Sequence, residues 1–230
     1  MWYKAKSNME LDIRITMNDH LYVKDPYDSV LGRKIVREGL LMITKIGFEA
    51  FTFKKLAEHI GTTEAGIYRY FENKHRLLIY LISWYWSYTE YQISIRLNNL
   101  SNQANKISTI ISLLVQSPTN TKGAYIPEAE AYRLVLWEAS KAYLTRNVTQ
   151  HNKEHLFKPY KDLCSKIADV LHAYNPRYKY PHSLASTILE MSHAQKFFML
   201  HLPSLTNFKK TDDEQVCNFI EDLVLRTLKK

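Results

Sequence analysis

Apolar residues recur every three to four positions over most of the chain. That period gathers them on one face of an α-helix and leaves polar residues on the other. The pattern is clean at 52–60, where Phe53, Leu56, Ala57 and Ile60 make one stripe. Thr52 precedes the stripe and predicts a side-chain cap on the orphan N–H groups of the first turn. Gly61 predicts the stop, because glycine takes the left-handed conformation without steric cost. Thr63 predicts a second cap, opening a short helix over about 64–71 with Ile67 and Phe71 on its inner side. Two short helices joined by a tight Gly-containing turn make a helix-turn-helix.

Residues 9–23 follow a different rhythm. Met9, Leu11, Ile13, Ile15 and Met17 alternate with polar residues, and Asn18-Asp19 is turn chemistry. The segment reads as a short β-hairpin, with a disordered tail as the alternative. An isolated hairpin is marginal in water, so it has to pack on something. After the break at Asp25-Pro26, a helix is predicted from Asp28 or Ser29 to Ile46, with Ile35, Gly39, Met42, Ile43 and Ile46 inside. Asn73 predicts the cap of a long helix to about Asn99, apolar nearly all round and therefore buried on several sides. Further helices are expected at about 104–116, 128–146, 153–174, 183–201 and 212–228. Thr211-x-x-Glu214 reads as a capping box for the last of them. The fold class is all-α with an added hairpin.

Charge narrows the partners. The chain carries 31 Lys and Arg against 23 Asp and Glu, a formal net charge of +8. Half of that excess, +4, lies within residues 29–78. Such a balance favours polyanions: DNA, RNA or an anionic membrane surface. The N-terminus lacks an apolar signal region, and the most apolar run, Leu77 to Trp86, is about half the ~20 residues that span a bilayer. A cytoplasmic protein without a membrane partner is expected. Cys164 and Cys217 form no CxxC and read as small core residues.

The second motif helix has a distinctive outer face. Ala65, Gly66 and Arg69 lie opposite Ile67 and Phe71, flanked by Tyr68 and Tyr70. Gly66 inside a helix costs about 0.5–1 kcal/mol relative to Ala. A helix whose N-terminal end enters the DNA major groove would give that cost a reason. An ordinary helical hairpin with a solvated face competes with this reading. His151-Asn-Lys-Glu-His155 matches the H-x-x-E-H zinc pattern. Its polar surroundings at a predicted helix start indicate a solvated helix end, so no metal is assigned and a metal-dependent hydrolase is the weakest reading. No Ser/His/Asp, paired-carboxylate or phosphate-loop constellation stands out, so neither an enzyme nor a cofactor is expected.

The motif resembles the DNA-binding domain of the TetR family of bacterial transcription regulators. The resemblance rests on Ile46-Gly47-Phe48, Thr52, Leu56-Ala57, Ile60-Gly61 and Thr63. It continues through Ile67-Tyr68, Tyr70-Phe71, Asn73-Lys74 and Leu77-Leu78. One departure is position 65, where many members have Gly. The resemblance implies a DNA-binding domain at 29–74 and a helical ligand-binding and dimerisation domain at 75–230, which leaves 1–28 as an N-terminal extension. It implies a transcriptional regulator, a repressor released by a small hydrophobic effector. A DNA-bound structural or division factor without effector is the alternative. The implied partners are a double-stranded operator, the effector and a second copy of the chain, at the bacterial nucleoid.

Thr52 and Lys54 would hold phosphates. Thr63, Glu64, Ala65, Gly66, Tyr68, Arg69, Tyr70 and Lys74 match positions that meet DNA, with Arg69 the candidate for reading guanine. In such proteins the larger domain holds an effector pocket. Trp84, Tyr88, Tyr91, Tyr132 and Trp137 could line it, since each couples an apolar ring to one hydrogen-bonding group; plain core packing is the alternative. Glu90, Glu130 and Glu138 either favour a cationic ligand or face water. Leu184, Ile188, Met191, Phe198, Phe219 and Leu223 are the expected dimer contacts, on the last two long helices. The extension lies outside the family pattern.

Overall fold

Side-chain caps set the starts of the first four helices. In the computed structural model, which describes residues 14–121 and 124–229, the Ser29 hydroxyl accepts the Gly32 N–H at 2.9 Å and opens α1 (Val30–Ile46). Thr52 accepts the Lys55 N–H at 3.2 Å and opens α2 (Phe53–Ile60). Thr63 accepts the Gly66 N–H at 3.1 Å and opens α3 (Glu64–Tyr68). Asn73 accepts the Arg76 N–H at 2.9 Å and opens α4 (Lys74–Leu97). Each cap satisfies an N–H that the helix itself cannot, for about 1 kcal/mol. Gly61, at φ 72°, ends α2 in the left-handed conformation.

Helices of eight and five residues are unstable alone. Burial holds them: Phe53, Leu56, Ala57, Ile60 and Ile67 are enclosed where α2 meets α1 and α3. Each large side chain so buried contributes about 1.5–3 kcal/mol.

The remaining helices form a bundle around α4, whose residues Leu77 to Trp86 are buried without a break. α4 packs against α5 (Gln103–Val115), α6 (Glu128–Tyr143) and α8 (Lys158–Tyr174). The short α7 (Val148–Lys153) lies between α6 and α8. α9 (Pro181–His201) packs on α8 and on α10 (Asp213–Leu228), and α10 closes on α5. α4 and α6 both touch α1, so the bundle grips the helix-turn-helix at two places. Among the described residues no helix is long and apolar enough to cross a membrane.

Several expectations change. No strand occurs among the described residues; the expected hairpin is absent over 14–23, and its part at 9–13 lies outside the described residues. Instead Asn18 caps a 3-10 turn over Asp19–Leu21, and Met17 and Leu21 are buried. The Val23 N–H donates to the Tyr70 carbonyl at 2.8 Å, and the Asn18 amide donates to the Glu154 carbonyl at 3.0 Å. The chain thus finds its partners on the turns that follow two helices rather than on a second strand. In α1, Val36 and Leu40 are buried while Met42 is half-buried and Ile46 exposed, so the inner stripe is rotated from the expected one. The predicted helix at 153–174 is interrupted after Lys153, with His155 at φ 56°. The last helix is capped by Asp212 rather than Thr211, which sits at φ 75° and cannot start a helix.

Candidate DNA interface and ligand cavity

The outer side of the helix-turn-helix presents free charge. Thr52, Lys54, Thr63, Glu64, Ala65, Tyr68 and Arg69 are exposed, and Gly66 is half-exposed. The side chains of Lys54 and Arg69 make no hydrogen bond or ion pair with any described residue. Their charges are available to an external anion. The Tyr68 ring lies 5.2 Å from Phe53, and its hydroxyl donates to Glu64 at 3.3 Å, which fixes both side chains on the surface. A Cβ on Gly66 would stand 2.9 Å from the Thr62 hydroxyl oxygen. A side chain at this position would therefore have to displace the Thr62 hydroxyl, a constraint present before any DNA approaches. Lys24 was not foreseen: it is exposed beside the motif, with its ammonium 5.7 Å over the Tyr70 ring. It lies outside the helix-turn-helix pattern, so no spacing marked it.

Two expected DNA contacts serve the protein interior instead. Tyr70 is 5% exposed, and its hydroxyl bonds the Ser29 hydroxyl at 2.8 Å, at the start of α1. The Lys74 ammonium donates to the carbonyls of Phe48, Glu49 and Phe51 at 2.9, 3.2 and 3.1 Å. All three of its N–H groups are used. The reason is local: α1 ends at Gly47, and the following loop leaves carbonyls without helical partners.

The same loop is held from the other side by α6. The buried Glu138 carboxylate accepts the Phe48 N–H at 3.0 Å and the Lys141 ammonium at 2.8 Å. That hydrogen bond is the main reason the Lys141 pKa is raised, with Glu49 adding to it. Loop 47–51 is thus clamped between Lys74 of α4 and Glu138 of α6.

The five aromatic residues expected to bind an effector do not converge. Trp84 stacks on Tyr88 at 5.4 Å, and both are buried. Tyr132 is fully buried and donates its hydroxyl to the Val115 carbonyl, while Tyr91 points to solvent. The faces of α4 meet different partners, and Tyr132 and Trp137 lie on α6, so the five rings do not face one space. Tyr88 lines a cavity of about 170 Å³ with Thr89, Arg96, Gln116 and Pro118. Trp137 lines another, of about 250 Å³, between α4, α6 and α9. Glu90, Glu130 and Glu138 line neither cavity; they pair with Lys166, Arg133 and Lys141. The carboxylate at the second cavity is Glu190, which accepts the Tyr143 hydroxyl at 3.0 Å and the Tyr160 hydroxyl at 2.7 Å. Beside it is the buried His193, whose pKa burial lowers to about 4.

α9 turns Leu184 and Ile188 into the chain's own core, at 7% and 1% exposure, so these two are not surface contacts. Met191 and Phe198 are half-buried, and Phe219 and Leu223 are exposed. With Leu202 and Leu205 they give the α9–α10 side an apolar outer face. His151 and His155 are split by the end of α7, and the His151 ring instead lies 5.5 Å from that of His75, tilted by 30°. No group of three or more potential metal ligands occurs among the described residues.

Residues 35–81 match the family described as bacterial regulatory proteins, tetR family. No curated protein matches the chain in sequence. Several solved structures share its fold. The fatty acid degradation regulator FadR from Bacillus halodurans has a TM-score of 0.62 at 15% identity, over 88% of this chain and 95% of that one. A protein described as superantigen PfiT has a TM-score of 0.59 at 17% identity, over 88% and 97%. AibR in complex with isovaleryl coenzyme A and operator DNA has a TM-score of 0.58 at 17% identity, over 83% and 97%. At such identities the likeness is one of fold, and a shared fold leaves function to the residues of the site.

Proposed function

We propose that this chain, which belongs to the tetR family of bacterial regulatory proteins through residues 35–81, is a DNA-binding transcriptional regulator switched by a small-molecule effector. The carrying observation is the capped helix-turn-helix whose exposed Lys54 and Arg69 have no protein partner. Residues 29–74 serve as the DNA-binding unit, with Thr52 and Lys54 on phosphates and Arg69 on a base edge. Thr63, Glu64, Ala65, Gly66 and Tyr68 complete the surface that meets the groove. The regulator works in the cytoplasm on chromosomal DNA and performs no chemical step on its ligand.

Residues 75–230 bind the effector and a second copy of the chain. The outer face of α9 and α10 supplies the symmetric contact through Met191, Phe198, Phe219 and Leu223. A two-fold dimer then sets two recognition helices about one DNA turn apart. The effector occupies the cavity between α4, α6 and α9, and is a small, mostly apolar molecule. The relatives named with isovaleryl coenzyme A and with fatty acid degradation support a small organic effector for this fold.

α6 carries the signal. Trp137 lines the cavity, and the next residue, Glu138, holds the Phe48 N–H of the DNA-binding unit. A ligand that displaces α6 pulls on loop 47–51 and so on α1 and α2. It shifts the equilibrium only as far as its affinity differs between the two states.

Selection of random duplexes with the full chain tests the reading. An inverted repeat bound by two chains is the expected outcome, with binding weakened by a ligand that also perturbs tryptophan fluorescence. Failure to enrich any motif would overturn the regulator reading, and one chain per duplex would overturn the dimer.

A further inference from the structure

We propose that the cavity between α4, α6 and α9 takes an organic cation: a small protonated amine on an apolar body. This rests on the reading of that cavity as the effector site and names its ligand class. The walls are largely aromatic, with Trp86, Trp137, Tyr143, Phe197 and Phe198 among the lining residues. Glu190 is the one lining residue with a formal charge at neutral pH; no Lys or Arg lines the cavity. Its oxygens accept the hydroxyls of Tyr143 and Tyr160, and no cation among the described residues pairs with it. Burial, followed by the charge of Glu190, raises the pKa of Tyr143; burial and a hydrogen bond to Glu190 raise that of Tyr160. Both phenols therefore stay protonated and hold the carboxylate in place as donors.

A second acceptor waits beside it. His193 Nδ1 lies 2.8 Å from the Leu189 carbonyl. A carbonyl only accepts, so Nδ1 carries the proton and Nε2 carries the lone pair. His193 Nε2 is buried without a partner. Burial keeps the ring neutral near pH 7.

These groups discriminate among ligand classes. An anion would meet a carboxylate and a lone pair, with no cation to receive it. A neutral hydrocarbon would fill the space but leave the buried His193 Nε2 without a donor and the Glu190 charge without a counter-ion. A protonated amine brings N–H donors to Glu190 and His193 and a positive charge to the ring faces. The Arg133 guanidinium, which is not among the lining residues, lies 5.2 Å over the Trp137 ring. The cavity of about 250 Å³ suits a ring with a short chain. The other cavity, lined by Arg96, has the opposite polarity.

The test is calorimetric titration of the full chain with three probes of matched shape: 2-phenylethylamine, 2-phenylethanol and phenylacetate. The amine is expected to bind about ten-fold tighter than either other probe, or more. In E190Q the amine should fall to the level of the alcohol while the alcohol is unchanged, with circular dichroism confirming the fold. The three-probe comparison on the wild type stands whether or not E190Q folds. An amine that fails to bind, an alcohol or acid that binds as tightly, or a preference that survives in folded E190Q would overturn the proposal. Duplex affinity measured with each probe separates the two readings. A Glu190-dependent amine that leaves DNA binding unchanged sinks the effector role and keeps the cation site. An acid or alcohol that releases DNA where the amine does not keeps the effector role and sinks the cation site.

Discussion

The surface around α3 and the cavity between α6 and α9 are opposites in charge and in surroundings. The first exposes cations, Lys54 and Arg69, with no partner in the protein. The second holds a carboxylate and an unpartnered imidazole nitrogen among aromatic rings. In both places the protein leaves a charge or a lone pair unanswered, and the missing partner indicates the ligand. The contrast with Lys74 and Glu138 is instructive. They too are charged residues next to the motif or the cavity, but their partners are already present within the chain. Charge by itself did not separate a binding residue from a clamp; whether a counter-ion or a backbone group already answers that charge did.

The comparison can be broken most severely at Lys74. Lys74→Met leaves three loop carbonyls without their donor and should cost about 2–4 kcal/mol of stability. A thermal melt of the folded variant checks this. DNA affinity should fall only as far as the loop loosens. A variant with unchanged melting and a uniform loss of DNA affinity would return Lys74 to the phosphate contacts.

Protonation attacks the other region. The His193 pKa is about 4 in the folded chain, below the ordinary 6.5, because burial disfavours the cation. The unfolded chain therefore binds more protons between those values. Stability is fully present above the ordinary value and is lost as pH falls toward the folded one. The loss from this residue approaches about 3 kcal/mol. Burial lowers the pKa of His75 and of His151 as well, so their contributions add in the same direction. Denaturant midpoints measured from about pH 7.5 to pH 4.5 should fall, and less steeply in His193→Phe. Identical slopes would contradict the buried neutral imidazole.

Arg69 sharpens the comparison from the DNA side. Arg69→Ala should leave the melt unchanged, cost about 1–3 kcal/mol in operator binding and relax preference at one base position. Competition with single-base variants of the selected duplex reads this out. The smallest effect is expected at Lys54. Lys54→Ala should weaken all duplexes alike and lower the salt slope by about one unit, again without a change in melting.

Much of the helix-turn-helix was legible in the chain. Caps at Ser29, Thr52, Thr63 and Asn73 and the stop at Gly61 depend on neighbours within a turn, so type and spacing disclose them. The stripe of α2 follows from the same helical period. Where the period of 3.6 leaves two registers close together, as in α1 and α9, the inward face was misjudged for Met42, Ile46, Leu184 and Ile188.

What the sequence alone determined was the all-α class, the motif and the starts of α1 to α4, because each rests on contacts within one or two turns. Only the tertiary structure decided which charged residues are spent. Lys74 meets carbonyls 23 to 26 residues away, and Glu138 meets an N–H 90 residues away. Such partners are chosen by how helices cross in space. No local period encodes that crossing, so no reading of spacing could have distinguished the clamp at Lys74 from a free cation such as Arg69.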